Sequence, residues 1–315
     1  MKVLITEPYS LKAKAQLQAG GLEISENPAD LAGSEILLIR SKTEINAELL
    51  QKAPQLKLVV SATSGFDHID WQACQARGVL TAHTPNANAQ STAELAMTLM
   101  LATERHLLAA HKNVKSSKWR ENLKRPHGLE GKNLGIIGLG RVGQKVARMA
   151  ATFGMRLHAH DPYIDESIFP SLNCERMGLI EILTTSDIVT LHVPLTKETK
   201  FLLNNPTFNE MQSDAILINT CRGPVVNEND LLLALDTGTI AGAAMDVIER
   251  EPPPTGHRIL GHPKLLLTPH IGAFTQTAWE KASAEAADKA LRFARGEGIG
   301  DTLPLDVPWF EAGKS

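Results

Sequence analysis

The segment Gly138-Leu139-Gly140-Arg141-Val142-Gly143 constrains the fold more than any other stretch of this chain. It fits GxGxxG, follows an apolar run at 134–137 and opens a helical pattern at Val142. A strand before and a helix after separate a dinucleotide-binding unit from a chance cluster of glycines. Gly138 permits the tight turn, Gly140 lets the backbone approach a pyrophosphate, and Gly143 lets helix and strand pack closely. Arg141 and Val142 begin the helix, whose unpaired N–H groups would face the phosphates. Asp161 ends the next strand, 18 residues after Gly143. A carboxylate there accepts hydrogen bonds from the adenosine ribose hydroxyls, and its charge opposes a 2′-phosphate. The expected cofactor is therefore NAD rather than NADP.

Short apolar runs at 3–5, 36–39, 58–60 and 79–81 read as buried strands, with helices at 11–18, 47–52 and 70–77 between them. Such alternation predicts a parallel sheet covered on both faces. Residues 91–112 carry the longest helical pattern of the first half, with Leu95, Thr98, Leu99, Ala102 and His106 on one face. Residues 116–131 read as a surface connection into a second unit. There, strands are expected at 133–137, 157–160, 188–191, 215–219, 241–247 and 265–267, with helices at 142–153 and 228–237 among them. A last helix, about 275–295, is long enough to leave this unit and pack on the first. The tail from Gly296, rich in Gly and Pro, is expected to be loosely held. The expected class is α/β, with two doubly wound parallel-sheet domains.

Composition narrows the function. With 32 basic and 35 acidic residues the net charge is −3, which supports neither nucleic-acid binding nor a polybasic membrane contact. No apolar run spans a bilayer and no signal peptide is expected. Cys74, Cys174 and Cys221 are the only cysteines and no metal-ligand spacing occurs, so neither disulfides nor a metal site is expected, and the chain reads as cytoplasmic.

Three polar residues follow predicted strands of the second unit: Arg222, Glu251 and His270. Ligands of open α/β sheets bind beyond the carboxyl ends of strands. Arg offers a planar, permanently charged fork for a carboxylate and can polarise a neighbouring ketone. His can supply the proton that an alkoxide needs after hydride arrives. A carboxylate on the far ring nitrogen fixes the tautomer and favours the imidazolium. Singly, each also suits a plainer role: a surface ion pair, a turn residue or a helix cap. Their joint occurrence behind a dinucleotide motif points to a 2-keto acid reductase or its reverse.

The chain resembles the D-isomer-specific 2-hydroxyacid dehydrogenases. The matching segments are Gly138 to Gly143 with Asp161-Pro162, His192-Val193-Pro194-Leu195, Asn219-Thr220-Cys221-Arg222-Gly223, Met245-Asp246-Val247 through Glu251-Pro252, and Thr268-Pro269-His270-Ile271-Gly272. In the first unit the matches are Ser61 to Asp70 and Thr84-Pro85-Asn86 through Glu94. The resemblance implies a Rossmann-type cofactor domain, residues 99–286, inserted into a discontinuous flavodoxin-like substrate domain, residues 1–98 and 287–315. It assigns Arg222 to substrate binding, His270 to acid/base catalysis and Glu251 to orienting it. It adds Ser64, His192, Val193, Pro194, Thr220, Cys221, Asp246, His270 and Gly272 to the cofactor contacts, with Asp246 facing the nicotinamide carboxamide. Pairing into a homodimer or tetramer is also implied, for which the apolar face of 91–112 is a possible interface, an internal core role being the alternative. Cys221, beside Arg222, is expected to be a packing residue rather than a reactive thiol.

Within the family, Leu38-Ile39-Arg40-Ser41-Lys42-Thr43 resembles the segment of the D-3-phosphoglycerate dehydrogenases that reaches the substrate phosphate. Arg40 and Ser41 would meet that dianion, and Ser64, Gly65 and Asn86 would line the same substrate site. The implied activity is the NAD-dependent oxidation of 3-phosphoglycerate that opens serine synthesis. A glyoxylate or hydroxypyruvate reductase is the alternative, with a non-enzymatic NAD-sensing corepressor more remote. Two departures stand out. Ser64-Gly65-Phe66 carries a larger residue than the phosphoglycerate enzymes usually have, and Gly223-Pro224 replaces a more usual Gly-Gly. The chain stops at residue 315, so the C-terminal regulatory domain of the longer phosphoglycerate enzymes, and feedback through it, are not expected.

Overall fold

A computed structural model describes residues 1–305 and 310. The described residues divide into two units, one of Met1–Gln90 with 273–305 and Phe310, the other Ser91–Gly272.

The first unit holds a five-stranded sheet of β1 (Lys2–Ile5), β2 (Glu23–Ser25), β3 (Ile36–Ile39), β4 (Leu58–Ser61) and β5 (Leu80–His83), in the order β2-β1-β3-β4-β5 and parallel throughout. This is the flavodoxin-like order, with its switch point between β1 and β3. Alternate side chains divide between the two faces. Val3, Ile36, Leu38, Leu58 and Val60 pack with Ala13 and Leu17 of the helix Leu11–Ala19 and with the last helix, Gln276–Ala294. Leu4, Leu37, Ile39 and Val59 pack on the other face with Leu50 and Cys74, from Ala47–Lys52 and Trp71–Ala76. The helix starts are capped by side chains: Ser10, Asn46, Asp70 and Thr275 each accept a first-turn N–H. β2 escapes a reading by pattern because it is three residues long and none of them is buried.

The second unit holds β6 (Asn133–Ile137), β7 (Arg156–His160), β8 (Cys174–Arg176), β9 (Ile188–Leu191), β10 (Ile216–Asn219), β11 (Gly242–Met245) and β12 (Leu265–Leu267). Their order, β12-β11-β10-β9-β6-β7-β8, is the Rossmann order extended by one strand, again all parallel. Its switch point lies between β6 and β9. One face packs Leu134, Ile136, Ile216 and Ile218 against Val146, Ala147 and Ala150 of the helix Arg141–Thr152. The other packs Ile137, Val189, Leu217 and Met245 against Leu231 and Leu235 of the helix Glu228–Thr237.

Both domain boundaries differ from the expected 98/99 and 286/287, and the cores say why. Ala93, Ala96, Met97, Leu99 and Met100 join the core of the second unit, so the helix Ala89–Glu104 belongs there almost whole. Ala282, Ala286, Ala287, Ala290 and Leu291 join the core of the first, so the last helix enters it from its start. The segment 116–131 therefore lies within the second unit. The helical pattern over 91–112 breaks in two: Ala89–Glu104 ends and Leu107–Lys115 begins across His106, whose φ of 48° is left-handed. No residue of the second piece is buried. Among the described residues no helix is long and apolar enough to cross a membrane.

The tail is held rather than loose as far as residue 303. Buried Lys289 donates through Nζ to Ile299 O (3.0 Å), Gly300 O (3.2 Å) and Asp301 Oδ2 (2.8 Å). His83 N then donates to Asp301 O and Leu303 N to Thr81 O, so the tail lies along β5. Removing a buried partner leaves the rest uncompensated, so Lys289→Ala is expected to cost about 3 kcal/mol in urea unfolding. Amide exchange at 299–303 should accelerate ahead of the rest of the unit.

Candidate functional site

The glycine segment turns directly at the switch point of the second sheet. Gly138 follows β6 with φ of 92°, and a Cβ there would stand 2.6 Å from His192 O, just after β9. A larger residue fits neither the dihedral nor the space. Gly140 is the N-cap of Arg141–Thr152 and supplies no side-chain cap, while a Cβ on it would meet nothing within 4 Å. The first N–H groups of a twelve-residue helix are thus left to another acceptor, with open space before them. Gly143 packs against Gly138 O at the start of the helix. Asp161, the first residue after β7, accepts through Oδ2 from Leu139 N (2.8 Å) and through Oδ1 from Tyr163 N (3.0 Å). Each carboxylate oxygen has a second lone pair to offer.

His192-Val193-Pro194 follow β9. Burial pushes the His192 imidazole down to about 3, so it is neutral, with Nε2 3.0 Å from Thr190 Oγ1. At the end of β10, Thr220 Oγ1 is buried with no hydrogen-bond partner. This orphaned hydroxyl, the uncapped helix and the open side of Gly140 fit a bound dinucleotide.

Arg222, Glu251 and His270 follow β10, β11 and β12, three adjacent strands ending on one edge. His270 Nδ1 lies 2.6 Å from Glu251 Oε2. The hydrogen bond from Glu251 holds the imidazole above the usual histidine range, outweighing burial, with a further push from the Glu251 charge. Burial raises Glu251, but its bond with His270 and the charges of His270 and Arg222 bring it below the usual carboxylate range. Arg222 acts on both members of the pair and is itself braced by Nη1 donating to Cys221 O (2.7 Å). Cys221 is half-buried beside Asn219, and desolvation pushes its thiol up to about 11, which suits a packing residue and not a thiolate.

Several braces around this pair were not legible as functional residues. Buried Asn219 accepts from Cys221 N (3.0 Å) and donates to Arg222 O (3.0 Å), which shapes the Arg222 turn. Gly223 allows the 246–252 loop against it: a Cβ would stand 1.9 Å from Ile248 O. Pro224 then sits in the 3₁₀ turn Gly223–Val225, where its fixed φ is suitable. Glu228 and Glu249 each accept the other's backbone N–H, anchoring the loop that carries Glu251. A buried Asn or Glu at an element end was the only signal in the sequence.

Asp246 lies under the loop that carries His270. Its carboxylate is buried and accepts from Thr268 Oγ1 (2.5 Å), Ile271 N (2.8 Å) and Gly272 N (2.8 Å). Its carbonyl also accepts His270 N (2.8 Å). The groups it meets belong to the loop of His270, whose φ of 54° lies in the left-handed region that non-glycine residues seldom adopt.

The substrate residues expected in the first unit follow three neighbouring strands. Arg40 and Ser41 follow β3, Ser64 and Gly65 follow β4, and Asn86 follows β5, exposed. Ser64 Oγ lies 2.6 Å from Asn88 Oδ1 and 3.0 Å from Pro85 O, joining the β4 and β5 loops. Phe66 stacks edge-on against His83, with ring centroids 5.2 Å apart, so its bulk is used in packing.

In an NMR titration His270 is expected to protonate above the ordinary histidine value of about 6.5. Glu251→Gln removes the carboxylate charge and leaves a neutral acceptor beside Nδ1, so the midpoint should move to lower pH although the Asp246 charge still raises it. An unmoved midpoint would mean that the 2.6 Å contact carries no charge coupling.

Comparison with known proteins agrees with this geometry. The family profile described as D-isomer specific 2-hydroxyacid dehydrogenase, NAD binding domain, matches residues 97–272. A D-3-phosphoglycerate dehydrogenase of Bacillus subtilis (strain 168) is 39% identical over 277 residues, 87% of this chain and 53% of the relative. One from Methanocaldococcus jannaschii is 36% identical, across 100% of this chain and 62% of its own length. The chain thus spans a little over half the length of the curated relatives it matches. A crystal structure of a Thermus thermophilus protein superposes with a TM-score of 0.88 at 33% identity, covering 96% of this chain and all of that one. A D-lactate dehydrogenase of Aquifex aeolicus, solved with NAD and lactic acid, gives 0.84 at 28%, covering 96% and 99%. With its family profile across more than half the chain and its two parallel sheets in the expected orders, this chain belongs to the D-isomer specific 2-hydroxyacid dehydrogenase family.

Proposed function

We propose that the chain is an NAD-dependent D-3-phosphoglycerate dehydrogenase. The observation that carries the chemistry is the 2.6 Å contact between His270 Nδ1 and Glu251 Oε2 beside the charge of Arg222. NAD, when bound, supplies or accepts the hydride. In the reductive direction Arg222 holds the keto acid's carboxylate and polarises its ketone. His270, protonated, gives the proton from Nε2 to the oxygen that becomes the hydroxyl. Glu251 keeps Nδ1–H pointing inward and stabilises the imidazolium. In the oxidative direction the neutral imidazole removes the hydroxyl proton as hydride leaves the carbon. Asp246 acts here by holding the His270 loop in place. Gly138, Gly140, Arg141, Val142 and Gly143 receive the pyrophosphate and Asp161 the ribose, with His192, Val193, Pro194, Thr220, Cys221 and Gly272 around the nicotinamide half.

The substrate reading rests on Arg40, whose Nη1 is buried without a hydrogen-bond partner, and on relatives named as phosphoglycerate enzymes. Arg40 and Ser41 would take the phosphate dianion, and Ser64, Gly65 and Asn86 the rest of the acid. A second copy of the chain would cover the apolar side chains Leu107, Leu108, Val114 and Trp119, each more than half exposed. Of the face read from sequence, Leu99 is buried in the core, Leu95 and Ala102 are half-buried, and Thr98 and His106 are exposed, so part of it would remain for such a contact. A cytoplasmic setting suits three unpaired cysteines.

The test is NADH oxidation with 3-phosphohydroxypyruvate beside hydroxypyruvate and glyoxylate. A preference for the phosphorylated acid is expected, and preference for the others would make the chain a reductase of small keto acids. His270→Ala should lower turnover about 10²–10⁴-fold. Asp161→Ala should relax the preference for NAD over NADP, read as the ratio of kcat/KM values.

A further inference from the structure

We propose that Glu7 is a positioning residue for recognition of the substrate's phosphate, fixing the loop that presents Arg40. The inference rests on the reading of Arg40 given above. β1 and β3 are adjacent and parallel, paired from Val3↔Ile36 to Ile5↔Leu38, and between them lies the switch point of the first sheet. There the crossovers leave to opposite faces and the strand ends stand clear, which is where open α/β sheets bind ligands. Glu7 comes two residues after β1 and Arg40 one residue after β3, so they face each other across that point.

The Glu7 carboxylate gathers three of the four backbone N–H groups of the 40–43 turn and the Thr43 hydroxyl. Oε1 accepts from Arg40 N (2.9 Å), Thr43 N (3.0 Å), Thr43 Oγ1 (3.0 Å) and Lys42 N (3.2 Å), and Oε2 accepts from Lys42 N (3.3 Å). Thr6 Oγ1 adds a contact of 2.7 Å to Thr43 Oγ1. On the other side the buried Tyr9 hydroxyl donates to Ile39 O (2.9 Å), and burial raises its phenol so that it remains a donor. The backbone that launches Arg40 is therefore held from two directions.

This arrangement divides the loop's donors. The backbone N–H groups of 40, 42 and 43 are bound to Glu7, so the loop makes no backbone nest for an anion. What remains for a dianion is the guanidinium of Arg40, with its partnerless Nη1, the Ser41 N–H, and the side chains of Ser41 and Lys42, both exposed. Selectivity then depends on where one guanidinium is placed, and Glu7 sets that placement. A carboxylate near a bound anion is less unfavourable when donors engage it, and here four of five contacts fall on Oε1.

The test compares the full chain with Glu7→Ala, Glu7→Asp, Glu7→Gln and Arg40→Ala. The main readout is the ratio of KM for 3-phosphohydroxypyruvate to KM for hydroxypyruvate, with kcat for each. Glu7→Ala should raise the ratio about tenfold or more, the worth of a hydrogen bond to a charged group, with little change in kcat. Glu7→Asp, which withdraws the carboxylate by one methylene without emptying the site, should raise it less. Glu7→Gln keeps an acceptor at the Oε1 position and should largely restore the ratio. Amide exchange at 40–43, measured without substrate, should accelerate in Glu7→Ala and Glu7→Asp. Unchanged exchange there would overturn the clamp whatever the substrate. Faster exchange with an unmoved ratio would overturn the link to recognition while Arg40→Ala still raised the ratio. An unmoved ratio in Arg40→Ala would instead overturn the phosphate reading, and this inference with it.

Discussion

Every strand in both sheets runs parallel to its neighbours, and most of the chemistry of the chain follows from that constraint. Parallel pairing forces a covering crossover after each strand, so the central strands are apolar on both faces and carry few polar groups along their length. Polar groups with a task are thereby confined to the strand ends. In the second unit the carboxyl ends of β6, β7, β9, β10, β11 and β12 present in turn the glycine turn, Asp161, His192, Arg222, Glu251 and His270. In the first unit the same rule places Glu7, Arg40, Ser64 and Asn86 on one edge.

Placement at an edge is not orientation, and the structure uses buried carboxylates and amides for the second task. Asp246 holds the histidine loop through four hydrogen bonds, three to its carboxylate and one to its carbonyl. Asn219 holds the arginine turn, and Glu228 with Glu249 holds the loop of Glu251. Each gathers backbone donors that would otherwise be unsatisfied in a buried setting, where an unpaired polar group is costly. Glu251 and His270 are thus open to solvent, while Asn219, Asp246 and Glu228, which hold their neighbours in place, are buried.

This division explains what could be read from residues alone. The glycine turn, Asp161 and the three residues after β10, β11 and β12 stand beside strands long and apolar enough to be recognised, so their positions were legible. The braces were not, because a buried Asn219 or Asp246 differs from an exposed one only by its partners, which lie elsewhere in the chain. Asp246 stood in a segment that marked it, but its bonds to Thr268, Ile271 and Gly272 were hidden for the same reason. The division of the long helical pattern at His106 was hidden because the break lies in one backbone dihedral, at a residue that suits a helix. The domain boundaries were displaced because both fall at the edges of helices whose alanine-rich faces look alike until their core is known.

The glycine that begins Arg141–Thr152 leaves this helix without the side-chain cap that other helices of the chain possess. A helix missing its cap is completed by whatever anion binds there, so the dinucleotide is an element of the folded unit as well as a reagent. Ligand that binds only the folded state adds RT ln(1 + [L]/Kd) to its stability, about 2.7 kcal/mol at a hundredfold excess over Kd. The lifetime of this protein in a cell is then tied to the supply of its own cofactor: starved of dinucleotide, the second unit opens more often and is exposed to proteolysis.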